Sequence, residues 1–197
     1  MNIVYVSSLI PPQMLDEVLA QKGGNYVVAP NKFHHTIVDG LISNGHKVVA
    51  ISHLPIGVEY QSMVKEGKLV YYFIKYVNKP IAKHIQIARG VYKKIKHLKK
   101  TGFTPDVLIC DILNVSVCLG ALLAGKIFNI KTVGIVTDLL GISSHEEKNP
   151  IHRMAAKISN TYIKDFDYYI LLTQQMNEVV NPKKRPYIIM EGICDDK

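Results

Sequence analysis

The chain has 197 residues, 48% of them hydrophobic and 20% charged, with a formal net charge of +8. That length suits one α/β domain, and that apolar fraction can fill a sizeable core, which excludes an intrinsically disordered chain. The longest apolar stretch, Val115 to Gly125, is broken by Ser116 and Gly120 and is too short to span a bilayer.

Asn2-Ile3-Val4-Tyr5-Val6 opens a strand over 2–7, with none of the basic start or cleavage site of a signal peptide. The segment from Ser7 to Pro30 reads as an unusually long strand-to-helix loop, a length that in compact domains signals function or mobility. Phe33, Ile37, Leu41 and Ile42 then recur at helical spacing, with Asn31 as the expected N-cap and Gly45 as the stop. Strands follow at 47–52 and 69–74. Ile81, Ile85, Ala88, Tyr92, Ile95 and Leu98 form an apolar stripe on a long helix begun by Pro80. A strand over 106–110 leads to Asn114, the expected cap of a helix through Phe128 that is apolar nearly all round and so predicted to be buried. The next strand, 131–136, precedes a helix opened by Asn149-Pro150, with Ile151, Met154, Ile158 and Tyr162 in register. A strand at 167–172, a short helix capped by Thr173 and a strand at 186–190 complete the chain.

Most of these strands are unbroken apolar runs, as a parallel sheet covered on both faces requires. Strand and helix alternate, which predicts an α/β, Rossmann-like, doubly wound and mostly parallel sheet of about seven strands. Ligands of such sheets bind beyond the carboxyl ends of the strands. That rule selects Ser7 and its loop, His53, Asp111, Asn114, Thr137 and Asp138. His34 and His35, in the first helix turn, could reach the same cleft, although a core or surface histidine is the commoner outcome.

Several chemistries are disfavoured. The dinucleotide fingerprint G-x-G-x-x-G, the P-loop and the nucleophile elbow are all missing after the first strand. The eight histidines show no metal-ligand spacing. Asp165-Phe166-Asp167 precedes a strand and reads as a helix-to-strand turn. The three cysteines, Cys110, Cys118 and Cys194, form no C-x-x-C pair and suit reduced thiols in a cytosolic protein.

Charge is concentrated. Gly67 to Pro105 holds ten Lys/Arg and no acid, while the remaining residues carry fourteen Lys/Arg against sixteen acids. Lys83, Arg89, Lys93, Lys94, Lys96 and Lys100 fall on the side of one helix opposite most of its apolar stripe. They read either as a solvated face or as a contact for anionic lipid head groups. Single-stranded nucleic acid is disfavoured, because no aromatic residues interleave along that face.

In order along the chain stand Pro11-Pro12 and Gly23-Gly24 after the first strand, Gly45-His46-Lys47-Val48 into the second, and Pro105-Asp106-Val107-Leu108 into the fourth. Thr137-Asp138 ends the fifth, Asp167-Tyr168-Tyr169-Ile170-Leu171-Leu172-Thr173 forms the sixth, and Met190-Glu191-Gly192-Ile193-Cys194-Asp195 closes the chain. This succession resembles the N-terminal domain of a GT-B glycosyltransferase of the family 4 type. The resemblance implies residues 1–190 as an acceptor-side domain, 191–197 as the start of an inter-domain linker, and a C-terminal donor-binding domain outside this chain. It implies a retaining transfer from a nucleotide-sugar donor, held mainly by that other domain, to a glycan or lipid-linked acceptor in cell-surface polysaccharide assembly. No cofactor and no metal are expected.

Thr137 stands where the family has His, so Asp138 alone carries the catalytic expectation, by orienting an acceptor hydroxyl or stabilising oxocarbenium charge. Gly23 and Gly24 would approach a phosphate or form a plain loop tip. His34, Asp111, Asn114 and Thr137 are the remaining substrate-binding candidates. The expected location is cytoplasmic, with the inner face of the plasma membrane as a docking surface. Two other readings stay open. One is a non-catalytic membrane-anchoring subunit of a split two-chain glycosyltransferase. The other is a stand-alone Rossmann-like enzyme binding NAD(P) or a nucleotide.

Overall fold

The computed structural model describes residues 1–21, 28–55, 57–139 and 161–192. Gly23, Gly24, the helix expected from Asn149-Pro150 to residue 160, and the linker beyond Gly192 lie outside the described residues. Eight strands form one sheet: β1 (Asn2–Val6), β2 (Lys47–Ser52), β3 (Met63–Glu66), β4 (Leu69–Phe73), β5 (Val107–Asp111), β6 (Lys131–Val136), β7 (Tyr168–Leu171) and β8 (Tyr187–Ile189). The α-helices among the described residues are α1 (Pro12–Gln21), α2 (Val28–Ser43), α3 (Pro80–Lys100), α4 (Val115–Phe128) and α5 (Gln174–Val180).

The strand order is β3-β4-β2-β1-β5-β6-β7-β8. All pairings are parallel except the β3–β4 hairpin. The chain adds strands outward from β1 on one side, then returns to its other side with β5. That reversal is the topological switch point of a doubly wound sheet, and it lies between the carboxyl ends of β1 and β5, where ligands of such sheets bind in a crevice. Each predicted strand is present. The extra strand, β3, is an edge strand with one buried residue, Val64, and joins β4 through a turn opened by Gly67 at φ 55°. An edge strand needs no continuous apolar run, so its sequence carries little signal.

Residues alternate between two cores. Val4, Val6, Leu108 and Cys110 face α3 and α4, while Ile3, Tyr5 and Ile109 face α1 and α2. Gly45 ends α2 as expected. At φ 82° its N–H donates to Ile42 O at 3.0 Å and that of His46 to Leu41 O at 3.1 Å, closing the helix end.

Four expectations need correction. The loop from Ser7 to Pro30 contains α1, whose Pro12 sits at its first position and whose Met14 and Val18 are buried one turn apart. Asn31 does not cap α2; it lies inside the helix and is buried, since α2 begins at Val28. The buried stripe of α3 runs through Ile87, Val91, Ile95 and Leu98, whereas Ile81 is 72% and Ile85 61% exposed. Ile81 and Ile85 therefore lie outside the buried stripe. The outer face of α4 is likewise open at Leu119, Leu123 and Ile127.

Among the described residues, four tyrosines are buried in these cores. Burial pushes the phenols of Tyr5, Tyr71 and Tyr162 up and that of Tyr169 up to about 12. Below about pH 10 the phenols are neutral in folded and unfolded chains alike. Above it the unfolded chain ionises first, so each tyrosine removes about 1.4 kcal/mol of stability per pH unit until its folded pKa is reached. Urea midpoints are therefore expected to fall steeply as pH rises past about 10, with phenolate absorbance at equilibrium tracking unfolding. A midpoint that stays level would contradict the burial of these hydroxyls.

Candidate functional site

The crevice floor is built from β1, β5 and the first half of α2. Val6 ends β1, and the next residue, Ser7, is buried with its Oγ accepting the Leu9 N–H at 3.1 Å. Asn31 then clamps the backbone of Ile10. Its Oδ1 accepts the Ile10 N–H at 2.9 Å and its Nδ2 donates to Ile10 O at 3.2 Å. His35 Nε2 donates to the same carbonyl at 2.8 Å. Two side chains of α2 thus hold the segment leaving β1 in one path.

One turn deeper, His34 joins the two central strands. Its Nε2 lies 3.2 Å from Asp111 Oδ2, at the end of β5, and its Nδ1 lies 2.6 Å from the Tyr5 hydroxyl on β1. All three are buried. Tyr5 keeps its proton, because burial and then the neighbouring Asp111 oppose ionisation. The hydroxyl and Nδ1 share a hydrogen bond, and Nε2 lies against the carboxylate, so each polar group has a partner. The other Asp111 oxygen accepts the Leu113 N–H at 3.1 Å, and its carbonyl accepts the Cys118 thiol at 2.9 Å. Asp111 therefore also shapes the turn into α4.

Two sequence candidates, His34 and Asp111, are brought together, and both ring nitrogens of His34 face partners inside the protein. Asn114 precedes α4, half-buried, and its side chain makes no cap bond. Thr137 and Asp138 follow β6, whose Ile135 pairs with Asp111. Thr137 is half-buried and Asp138 exposed, and Asp138 Oδ1 accepts the Leu139 N–H at 2.7 Å. That bond holds the carboxylate just beyond the carboxyl end of β6. His53 follows β2, its ring edge-on to Tyr76 at 5.6 Å. Asp165 pairs with Lys183 at 2.6 Å and Asp167 accepts from Thr132, which agrees with a structural turn there.

Sequence reasoning missed Tyr5 and Asn31. Tyr5 could have been found: a hydroxyl in an otherwise aliphatic, fully buried strand must have a partner. Asn31 was mistaken for a cap because its residue type suits both roles.

Removing the Asp111 carboxylate takes the acceptor from the Leu113 N–H and the facing group from His34 Nε2. Asp111→Ala is expected to cost about 1–3 kcal/mol in urea unfolding. A loss under about 0.5 kcal/mol, within the usual scatter of surface substitutions, would show that the network is not closed.

The basic residues do not share one face. Lys94 Nζ lies 4.2 Å from the centre of the Tyr72 ring, its pKa lowered by burial, and Lys83 lies 5.3 Å from that of Tyr76. Arg89, Lys93, Lys96 and Lys100 are exposed. A cavity of about 210 Å³ opens at the carboxyl ends of β2 and β4, lined by Leu54, Val58, Tyr60, Ile74 and Tyr76. A wider one of about 680 Å³ lies at the opposite edge, beside Leu122, Thr132 and Asp167. Among the described residues no helix is long and apolar enough to cross a membrane, and no cluster of His, Cys, Asp and Glu could hold a metal ion.

No protein-family model and no curated protein matches the sequence. Solved structures do match the fold. Os79 of O. sativa, in complex with UDP, superposes with a TM-score of 0.57 at 8% identity, covering 87% of this chain and 46% of that one. Sucrose-phosphate synthase of Thermosynechococcus elongatus matches with a TM-score of 0.57 at 8% identity, over 96% and 47%. UGT89C1 of Arabidopsis thaliana, complexed with UDP, matches with a TM-score of 0.58 at 9% identity, over 98% and 49%. The chain spans about half the length of these structures, and its fold is that of one half of a GT-B glycosyltransferase.

Proposed function

We propose that residues 1–190 are the N-terminal, acceptor-side half of a retaining glycosyltransferase, with 191–197 beginning the linker to a donor-binding half. The reaction moves a sugar from a nucleotide-sugar to a hydroxyl of a glycan or lipid-linked acceptor in cell-surface polysaccharide assembly. The observation that carries this reading is the β1–β5 switch point in a fold shared with one half of GT-B glycosyltransferases.

Within this reading Asp138 is the catalytic carboxylate. It orients the acceptor hydroxyl and offsets positive charge developing on the transferred sugar. Thr137 and Asn114 offer hydrogen bonds to sugar hydroxyls, and Gly23-Gly24 approaches a phosphate. His34 and Asp111 act by holding the crevice floor, since their polar atoms are engaged with each other and with Tyr5. The aromatic-sided cavity at β2 and β4 suits the apolar face of an acceptor sugar ring.

The test is transfer from a panel of nucleotide-sugars. The pure 197-residue chain alone is expected to transfer no sugar and to bind UDP weakly by calorimetry, with transfer appearing once a donor-binding half is joined to it. Turnover by the chain alone would overturn the division of labour. Saturable NAD(P) binding would favour the stand-alone Rossmann-like alternative.

A further inference from the structure

We propose that the cavity at the carboxyl ends of β2 and β4 takes one ring of an acidic sugar, a hexuronate, stacked on tyrosine with its carboxylate among lysines. The inference rests on the acceptor-side reading above and narrows it from any glycan to an anionic one.

The walls are held in place before a ligand arrives. The Tyr60 hydroxyl donates to Phe73 O at 3.1 Å and the Tyr76 hydroxyl to Leu54 O at 3.0 Å, so each phenol is tied to backbone and its ring is fixed. The Ile74 N–H donates to Ser52 O at 2.9 Å, which carries the pairing of β2 and β4 one residue past Phe73. Gln86 Oε1, on α3, accepts the Val77 N–H at 2.9 Å and anchors the segment leaving β4. Leu54, Val58 and Ile74 supply the apolar part of the lining. Walls fixed in advance lose little conformational freedom when a ligand binds.

Size and charge select the occupant. A volume of about 210 Å³ falls below the roughly 300–1,000 Å³ of sites for drug-sized ligands, so it suits a single ring and not a nucleotide diphosphate. Lys75 lines the cavity, with Nζ 5.4 Å from the centre of the Tyr60 ring, and Lys83 Nζ lies 5.3 Å from that of Tyr76. A ring face attracts each ammonium without using its N–H donors, which stay available to a carboxylate. α3 begins just beyond Asn78, another lining residue, and no side chain caps its first turn, so the helix dipole adds charge of the same sign. No acid is among the described residues of the lining, and the Glu17 carboxylate, on α1, is held on the Glu59 N–H at 3.1 Å. A neutral sugar would leave the two lysines without a role. A free phosphate would leave the tyrosines and the apolar wall without one. A hexuronate uses both, through the C–H face of its ring and its ionised carboxylate.

The test is NMR titration of the 197-residue chain with methyl glucuronide and with methyl glucoside, which differ only in a carboxylate for a hydroxymethyl group. The glucuronide is expected to bind about threefold or more tightly at low salt, a margin that narrows as salt is raised. Lys75→Gln with Lys83→Gln should equalise the two sugars. Tyr60→Ala should weaken both and preserve their ratio. Amide shifts unchanged away from the cavity would show that the variants fold. Equal binding of the two sugars by the parent chain would overturn the acidic-sugar inference and leave the acceptor reading standing. A preference that survives the lysine pair would place the carboxylate elsewhere and overturn it as well. Acetate or inorganic phosphate binding as tightly as the glucuronide would reduce the site to a plain anion patch, with the same consequence. Binding of neither sugar would also overturn it, and transfer with a donor-binding half joined would then decide the acceptor reading separately.

Discussion

An enzyme carrying Asp138→Asn, assayed with both halves present, is expected to turn over about 10²–10³-fold more slowly than its parent, with little change in donor KM. The carboxylate follows β6, one strand beyond the switch point, and its Oδ1 is fixed by the Leu139 N–H at 2.7 Å. Asparagine keeps that acceptor and the side chain's shape, and loses the negative charge. A role restricted to the turn would therefore survive the change. Stabilisation of charge that exists only in the transition state would not, so the loss should fall on kcat. Unfolding midpoints of the two proteins should agree. Unaltered kcat would remove Asp138 from the catalytic reading and leave it an ordinary turn acid.

The second large effect is on stability. Gly120→Val is expected to destabilise the chain by about 3 kcal/mol or more. A Cβ at Gly120 would lie 2.3 Å from the Ala88 carbonyl oxygen and 2.8 Å from Val91 Cβ. The first neighbour is backbone and cannot rotate away, so α3 and α4 would have to separate along their length. Gly40, in the interior of α2, has nothing within 4 Å of the corresponding position. Gly40→Ala should instead stabilise by about 0.5–1 kcal/mol, the ordinary helix preference for alanine. Opposite signs for the two glycines in urea unfolding would locate the close contact of the helices. A Gly120→Val midpoint equal to that of the parent would refute it.

Much of the sheet was legible because burial on both faces leaves a plain mark. Asn2–Val6, Lys47–Ser52, Val107–Asp111 and Lys131–Val136 are apolar runs of strand length, and a parallel sheet imposes that composition. The end of α2 was legible for a similar reason, since the left-handed backbone at Gly45 favours glycine. The first helix was harder to see. Pro11-Pro12 and Gly23-Gly24 are turn residues by type, yet Pro12 occupies the first helical position, where its missing N–H costs nothing. The spacing of Met14 and Val18 was the available clue.

At the site, residue types named the candidates and contacts assigned them. The strand-end rule pointed to Asp111 and Asp138 alike, because both follow strands whose carboxyl ends share one edge. It could not show that Asp111 is buried against His34 while Asp138 stands exposed. The basic segment divides in the same manner: Lys94 and Lys83 lean over tyrosines on neighbouring structure, and Arg89, Lys93, Lys96 and Lys100 remain as a ridge.

By itself the sequence determined the alternation of strand and helix, the parallel sheet, and the cationic excess between Gly67 and Pro105. Those depend on local spacing, composition and burial pattern, which are written along the chain. Only the tertiary structure decided that Tyr5, His34 and Asp111 close into one buried network, and that α3 lies against α4. Both depend on which residues distant in sequence become neighbours, and that is set by strand order and by how closely two helices can approach at Gly120.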